Sequence, residues 1–509
     1  MDGADSHRRS IGIDALFQYT GSGVQLFSGM VFYIIIVRIF NTSEVGALSL
    51  FLAIIGLFNL VFSFGLASAA QHFTSYELGR GDYASVKRTI YRILSFGVGL
   101  SVAGVLTLQF LAGEISIIFL HSVQYTDLVR VLSFVLFGNI IFGILNGMIL
   151  GIQQFRISAI INIFIWITYY FGAIMFAIFY RSIGTIVFGW IIGVFLGVAV
   201  ESLVIFSSVN RYLGKGKPVK SSHIVFYSGP IVFSGIISYG AAYADRFIVS
   251  GLISLSSLGV YNFALLVASA IGFISAPFAN ILVPKFSEYF GMGEKWKIAS
   301  MAEVSSTLLS YFYVPSALGI AALAPIILNF LGGVQYVKGA LPLQIIMVCT
   351  AIFVTQNIIS QVIASIRKTK LFIYSSGFAL IANIAFSFLL IPPFGLIGAA
   401  LGYSSVYAIT FSTLYYFSRK EAIVSFDSLG MLKVWVSAII MSFIVYTISV
   451  LSEEHTFLLP VYISIGIIVY IGLTKIMGIF KEENKELVLA LFPISFVRFK
   501  KILSIFILH

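Results

Sequence analysis

Tyr243-Ala244-Asp245-Arg246 sets an acid beside a base inside an otherwise apolar stretch, where an ionisable side chain has to be paired, hydrated or functional. A guanidinium carries a rigid fork of donors suited to phosphate oxygens, so Arg246 is a candidate anion contact. Asp245 is either its partner or a group that binds a coupling ion. The structural alternatives are an internal ion pair and an arginine reaching for the interface. Glu201 is a second carboxylate in mid-run and a second candidate for ion coupling, set against a buried hydrogen bond to a neighbouring helix. Neutral polar residues also interrupt the apolar runs: Gln25, Asn59, Asn139, Asn146, Tyr239, Tyr243, Asn262, Gln356, Asn357 and Gln361. They are candidates to line a polar path for a substrate, or to join helices by hydrogen bonds. Asp14, Gln18 and Tyr19 extend the set toward the start, with Asp14 expected to be solvated, and Arg38 closes the first run at an outer boundary.

Bond-making chemistry has no comparable constellation. There is no Gly-x-x-x-x-Gly-Lys-Ser/Thr loop and no His-Glu-x-x-His pair, the six histidines are scattered, and Cys349 is the single cysteine. No cofactor, metal or catalytic residue is expected, and the chain is not expected to be an enzyme.

The elements that must hold these residues follow from composition. With 59% hydrophobic residues, 49 Phe and a mean hydropathy of +1.02, the 509-residue chain cannot bury its apolar surface in a water-soluble globule. Apolar runs long enough to cross roughly 30 Å of hydrocarbon number about fourteen, and in lipid such runs must be helices. They extend from near 15–37 to near 458–478. The second is expected at 45–70, the eighth at 255–283, the ninth at 301–330 and the tenth at 341–365. Pro230, Pro277, Pro315 and Pro325 lie within these runs and favour bends. Alternating the connections puts about 26 of the 31 Lys and Arg on one side, which marks the cytoplasm and places both termini there. The net charge of +11 is then accounted for by anionic lipid headgroups, and no nucleic-acid partner is expected. The opening MDGADSHRRS leads into a full-length span without a cleavage pattern, so no removable signal is expected.

A repeat runs through the chain. SYELGRGDYASVKRT from Ser75 reappears, blurred, as SEYFGMGEKWKIAS from Ser287, about 212 positions on. SEVGALSLFLAI from Ser43 matches SSLGVYNFALLV from Ser256, and LGIQQFRI from Leu150 matches ASIRKTKL from Ala364. Six spans separate the copies, an even number, so the repeat is parallel. It predicts an all-α polytopic membrane protein. Its parts are a six-helix lobe over 1–215, a second over 216–420, an added helix pair over 421–480, and an amphipathic cytoplasmic tail over 481–509 that lies on anionic headgroups.

VRIFNTSEVGALSLF, FGLASAAQHF and ELGRGDYASVKR in the first half, with ADRFIVSGLISLSSLGVYNFALLV in the second, resemble the polysaccharide-exporter branch of the multidrug/oligosaccharidyl-lipid/polysaccharide exporter superfamily over about residues 10–420. The resemblance implies a two-lobed flippase that moves a polyprenyl-phosphate- or diphosphate-linked oligosaccharide or polysaccharide repeat unit across the cytoplasmic membrane by alternating access, alongside glycan-assembly proteins. The alternative on the same fold is a cation-coupled multidrug or small-solute antiporter. A glycan polymerase or ligase would need a substantial outer loop, and the outer connections here are short. Lipid II is a less favoured cargo, because the first helix has no deep arginine cluster. Asn41-Thr42-Ser43 fits a glycosylation sequon but hugs the membrane and is expected to cap a helix.

Overall fold

The computed structural model describes residues 2–210, 216–420 and 424–479. Among them the regular structure is helical, and fourteen segments are long and apolar enough to cross a membrane. The protein is a multi-pass membrane protein. The described chain forms two compact units: one runs to Tyr239 and takes in Ser254–Gly259, the other holds Gly240–Ile253 and the described residues from Val260 onward.

The first unit contains α1 (Asp2–Ile39), α2 (Thr42–Ser63), α3 (Leu66–Gly79), α4 (Tyr83–Leu120), α5 (Thr126–Gly151), α6 (Phe155–Tyr180) and α7 (Ile183–Val209). In it α6 packs on α1 and α7, and α5 on α3, α4 and α7. α8 (Ser221–Leu252) and α9 (Leu255–Ser269) each begin in the first unit and end in the second. The second unit continues with α10 (Gly272–Gly291), α11 (Lys295–Ala322), α12 (Ala324–Gly332), α13 (Ala340–Ile352), α14 (Gln356–Ser365), α15 (Lys370–Phe394), α16 (Leu396–Lys420), α17 (Ser428–Leu451) and α18 (Leu459–Met477). There α15 pairs with α16, and α11 packs against α13 and α17. Outward side chains are as apolar as the core: Phe110 is 83% exposed and Phe226 81%, which suits hydrocarbon and not water.

Four of the expected spans are broken, one of them at an expected proline, Pro325, and three elsewhere. The second divides into α2 and α3 where Phe64 and Gly65 take φ of 47° and 63°, left-handed values that reverse the helical path. The eighth divides at Ala270–Ile271, and the tenth at Phe353–Thr355. The ninth ends at Ala322, and Pro325 opens α12, where its missing N–H costs nothing. α8 and α11 run on through Pro230 and Pro315. One lost donor in a membrane helix is tolerated, because neighbouring groups re-satisfy the freed carbonyl. Asn41 is a helix cap as expected: its Oδ1 accepts from the Glu44 N–H at 2.9 Å, and Glu44 Oε2 accepts from the Asn41 N–H at 3.2 Å.

The repeated sequences make the same turns. Gly81 (φ 73°) and Gly293 (φ 76°) donate to the carbonyls of Leu78 and Phe290, and the following Asp82 and Glu294 donate to Glu77 and Tyr289. Gln153 (φ 63°) and Arg367 (φ 60°) close α5 and α14 with bonds to Leu150 and Ala364. Each unit also has a connecting segment strapped to a helix. Lys217 N–H donates to Ser85 Oγ at 2.9 Å and Val219 N–H to Thr89 Oγ1 at 3.2 Å, both on α4. In the second unit, Ser425 Oγ donates to Glu303 Oε2 of α11 at 2.9 Å. The tail from 481, and Arg211 and Lys215, lie outside the described residues.

Asp82 holds the first strap together. Its carboxylate accepts from Ser85 Oγ at 2.6 Å and from the Ser85 N–H at 3.0 Å, and these bonds, the side-chain one first, pull its pKa below the ordinary aspartate value. A carboxyl lowered on folding stabilises above its unfolded pKa, about 3.9, and loses that contribution as pH falls through the folded value. Asp82→Asn is therefore expected to lower the melting temperature of the purified protein at neutral pH, with the difference closing below about pH 4. A difference that persists in acid would show that the cap works without its charge.

Candidate functional site

Polar side chains collect at two places, one in each unit. In the second unit, α8 presents Tyr243, Asp245 and Arg246 within one turn, and α9 and α16 supply the groups that receive them. The Arg246 guanidinium lies over the Tyr243 ring, 4.1 Å from its centroid. Its Nε donates to Asn262 Oδ1 at 3.1 Å, and Nη1 to the Ala242 carbonyl at 2.9 Å. Nη2 takes part in neither bond.

Asp245 is fully buried. Its Oδ2 accepts from Tyr261 Oη at 2.7 Å, while Oδ1 has no hydrogen-bond partner. The Tyr261 hydroxyl is also 3.2 Å from the Ala399 carbonyl, and the single proton goes to the shorter, charge-assisted contact. Tyr403 lies within electrostatic reach of both Asp245 and Arg246, and its Oη is 3.3 Å from that of Tyr407 one turn on. Asn383, also fully buried, donates to the Ala241 carbonyl at 2.9 Å and ties α15 to this part of α8. The result is an acid and a base within each other's field whose side chains have separate hydrogen-bond partners, Tyr261 for Asp245 and Asn262 for Arg246.

In the first unit Glu201 of α7 is fully buried, and its Oε1 accepts from Asn146 Nδ2 of α5 at 2.7 Å. Asn146 Nδ2 also reaches Ser158 Oγ of α6 at 3.1 Å.

The sequence-derived candidates divide accordingly. Tyr243, Asp245, Arg246 and Asn262 come together, as do Glu201 and Asn146. Tyr239 donates to the Ala53 carbonyl at 2.7 Å and packs over Gly56, so it joins α8 to α2. Gln18 likewise joins α1 to the Phe155 carbonyl at 2.7 Å. Gln25, Asn59 and Asn139 are half-buried at separate places on α1, α2 and α5, with Asn59 Oδ1 buried and without a partner. Gln356, half-buried, and Asn357, exposed, open α14 after its break, and Asn357 bonds to the Val354 carbonyl of its own turn. Gln361 is half-buried further along α14, and the side chains of Asp14 and Tyr19 lie outside the described residues.

The residues that complete the site but were not read from the sequence are Tyr261, Tyr403, Tyr407 and Asn383. The one available signal was the Tyr-x-x-x-Tyr spacing at 403 and 407, which puts two hydroxyls on one face of a membrane helix.

The second unit also has an apolar cavity of about 500 Å³ walled by α11, α17 and α18. Tyr311, Pro315, Met441, Gly466 and Tyr470 form its wall, and Ile463 and Ile467 on its α18 side stay about half exposed.

This architecture has relatives. Agl15 of Haloferax volcanii, described as a probable low-salt glycan biosynthesis flippase, is 22% identical over 485 residues, 93% of this chain and 97% of its own length. Among solved structures, the lipid II flippase MurJ in an inward closed conformation superposes with a TM-score of 0.72 at 16% identity, covering 93% of this chain and 100% of its own. An inward-facing multidrug-resistance MATE transporter of the MOP superfamily does so at 0.60 and 14% identity, covering 78% and 94%. These likenesses establish the fold. Residues 35–341 match the family described as polysaccharide biosynthesis protein, and with more than half its length inside that match the chain belongs to this family.

Proposed function

We propose that the protein is a flippase of the cytoplasmic membrane that carries a polyprenyl-phosphate- or diphosphate-linked oligosaccharide or polysaccharide repeat unit from the inner to the outer leaflet by alternating access. It acts as a transporter and not as an enzyme, with both termini in the cytoplasm and its basic connections on anionic headgroups. Each unpaired polar group of a glycan would cost several kcal/mol in hydrocarbon, so unaided transfer is slow and a polar route removes most of the barrier.

The observation that carries the proposal is the Arg246 guanidinium, oriented inside a membrane helix by Tyr243 and Asn262. A phosphate oxygen matches a guanidinium, and hydroxyls of Tyr403 and Tyr407 are the type of group that hydrogen-bonds a sugar. Asp245 holds the arginine's field in balance and is the site's candidate for a coupling ion. The near full-length match to a named glycan flippase agrees with this cargo class.

The apolar cavity beside α18 is suited to the prenyl chain, since each buried methylene gains about 0.8 kcal/mol when drawn from water and loses nothing when drawn from lipid. Gly466 is in the cavity wall, and a Cβ there already meets Met441 Sδ and Val445 Cγ2 at 3.2 Å, so Gly466→Phe crowds the α17–α18 side of the cavity. It is expected to slow transfer of a long-chain cargo severalfold while sparing a short-chain analogue; equal rates for both cargoes would remove the cavity from the route.

Reconstitution in liposomes with a fluorescent polyprenyl-linked glycan tests the proposal. Loss of leaflet asymmetry that ignores drug gradients supports it. Gradient-driven dye efflux without glycan movement would make the protein an antiporter instead.

A further inference from the structure

Glu201 is the second buried carboxylate, and phosphate binding makes no use of it. Among the described residues its one hydrogen-bond partner is Asn146. α7 has no other ionisable residue, α5 and α6 face it with Asn146 and Ser158, and α1, which packs on α6, contributes Gln18 to the Phe155 carbonyl. The charged residues of α5 and α6 are elsewhere: Asp127 and Arg130 pair with each other at 3.1 Å, and Arg156 is exposed at the start of α6. Tyr169 is occupied by its stack on Trp190, 5.7 Å between centroids. Glu201 Oε2 is buried with no partner at all. A bare carboxylate in that position would carry its charge on one hydrogen bond, a state that costs several kcal/mol unless something neutralises it.

The surroundings select what neutralises it. Asn146 turns an amide N–H to the carboxylate, and no group of three His, Cys, Asp or Glu side chains able to hold a metal occurs among the described residues. A sodium ion would need several converging oxygens; a proton needs only the vacant Oε2. Polar side chains also lead from the start of α6 to Asn146, the partner of Glu201. Gln154, Ser158 and Asn162 recur every four residues and form a polar stripe from the first turn of α6 into the span. Asn162 Nδ2 is bonded to the Ser158 carbonyl at 2.9 Å, and Gln154 Nε2 reaches Ser208 Oγ of α7 at 3.3 Å. Gln154 Oε1 is again buried without a hydrogen-bond partner.

We infer that Glu201 is a proton-binding site, reached along the Gln154–Ser158–Asn162 stripe, whose loading and unloading accompany transport. The carboxylate takes one proton from water at the Gln154 end to become the neutral acid, and returns it to water when the site empties. The role in transport rests on the flippase proposal; the proton site does not.

Infrared difference spectroscopy of the purified parent protein across a pH series reads the site directly. A carboxylic-acid C=O band that disappears as pH rises, and that is missing from Glu201→Gln at every pH, is the expected result. Glutamine imitates the protonated acid and keeps an acceptor for Asn146, so this variant preserves the packing. Identical difference spectra for parent and variant overturn the inference, as does a band displaced by sodium at constant pH, which would make the site a cation site. In liposomes, Glu201→Gln is expected to lose the pH dependence of glycan transfer. A titrating band in a protein that moves no glycan would refute the flippase and leave the proton site standing; a flippase without the band does the reverse.

Discussion

Arg246→Ala is expected to lower transfer of a polyprenyl-linked glycan by at least about 30-fold, the equivalent of ~2 kcal/mol, the scale of one hydrogen bond to a charged group. Insertion should be unchanged, because the arginine's hydrogen bonds run to a neighbouring side chain and to its own helix. Arg246→Lys should fall between parent and Ala: it keeps the charge but cannot lie flat on Tyr243 while bonding to Asn262. Asn262→Ala separates binding from scaffolding. If Arg246 serves only to hold α8 against α9, the two alanine variants will lose thermal stability and transfer together. If it holds phosphate, Asn262→Ala will lose less transfer, since Tyr243 still orients the guanidinium. Unchanged rates in Arg246→Ala would end the proposed headgroup contact.

How far such residues can be found without a structure depends on what kind of physics exposes them. The spans were legible because hydropathy is a sum over twenty residues and one polar side chain does not erase it. Asn41 was legible because a cap is local, and the paired turns at Gly81 and Gly293 because left-handed glycines recur with their flanking charges. The break at Phe353–Thr355 was not, since no proline or glycine lies there, and at Phe64–Gly65 the glycine is one of 45 in the chain, most of which leave their helices unbroken. Asp245, Arg246 and Glu201 were conspicuous because a charge in a span is costly wherever it sits. Their partners were not. Tyr261 and Ala399 are 16 and 154 residues from Asp245 in sequence, and a tyrosine in a membrane helix carries no mark that its hydroxyl faces a carboxylate. Asn146 and Glu201 were each noted, but nothing in the sequence joined two residues 55 apart.

Gly46→Ala and Gly259→Ala should each destabilise the protein, against the usual sign for glycine in a helix. Alanine is favoured over glycine in a helix interior by about 1 kcal/mol. Here that gain meets backbone. In the first unit the opening turns of α2 and α9 cross so closely that a Cβ on Gly46 would run into the Leu255 carbonyl, and a Cβ on Gly259 into the Thr42 carbonyl. Thr42 Oγ1 and Ser256 Oγ fix the same crossing at 2.7 Å. Carbonyls within a helix cannot rotate aside as a side chain can, so the helices must separate, and overpacking of that kind costs about 1–3 kcal/mol or more. A lower melting temperature in detergent is the expected outcome for each variant. The double variant should cost less than the two singles together, because one separation makes room for both methyl groups. Gly99→Ala on α4 is the control: nothing lies within 4 Å of its added Cβ, so only the helix gain remains and stability should hold or rise. Additive losses in the double variant would mean that the two glycines do not share one contact, and a rise for Gly46→Ala would mean that the crossing is looser than these distances allow.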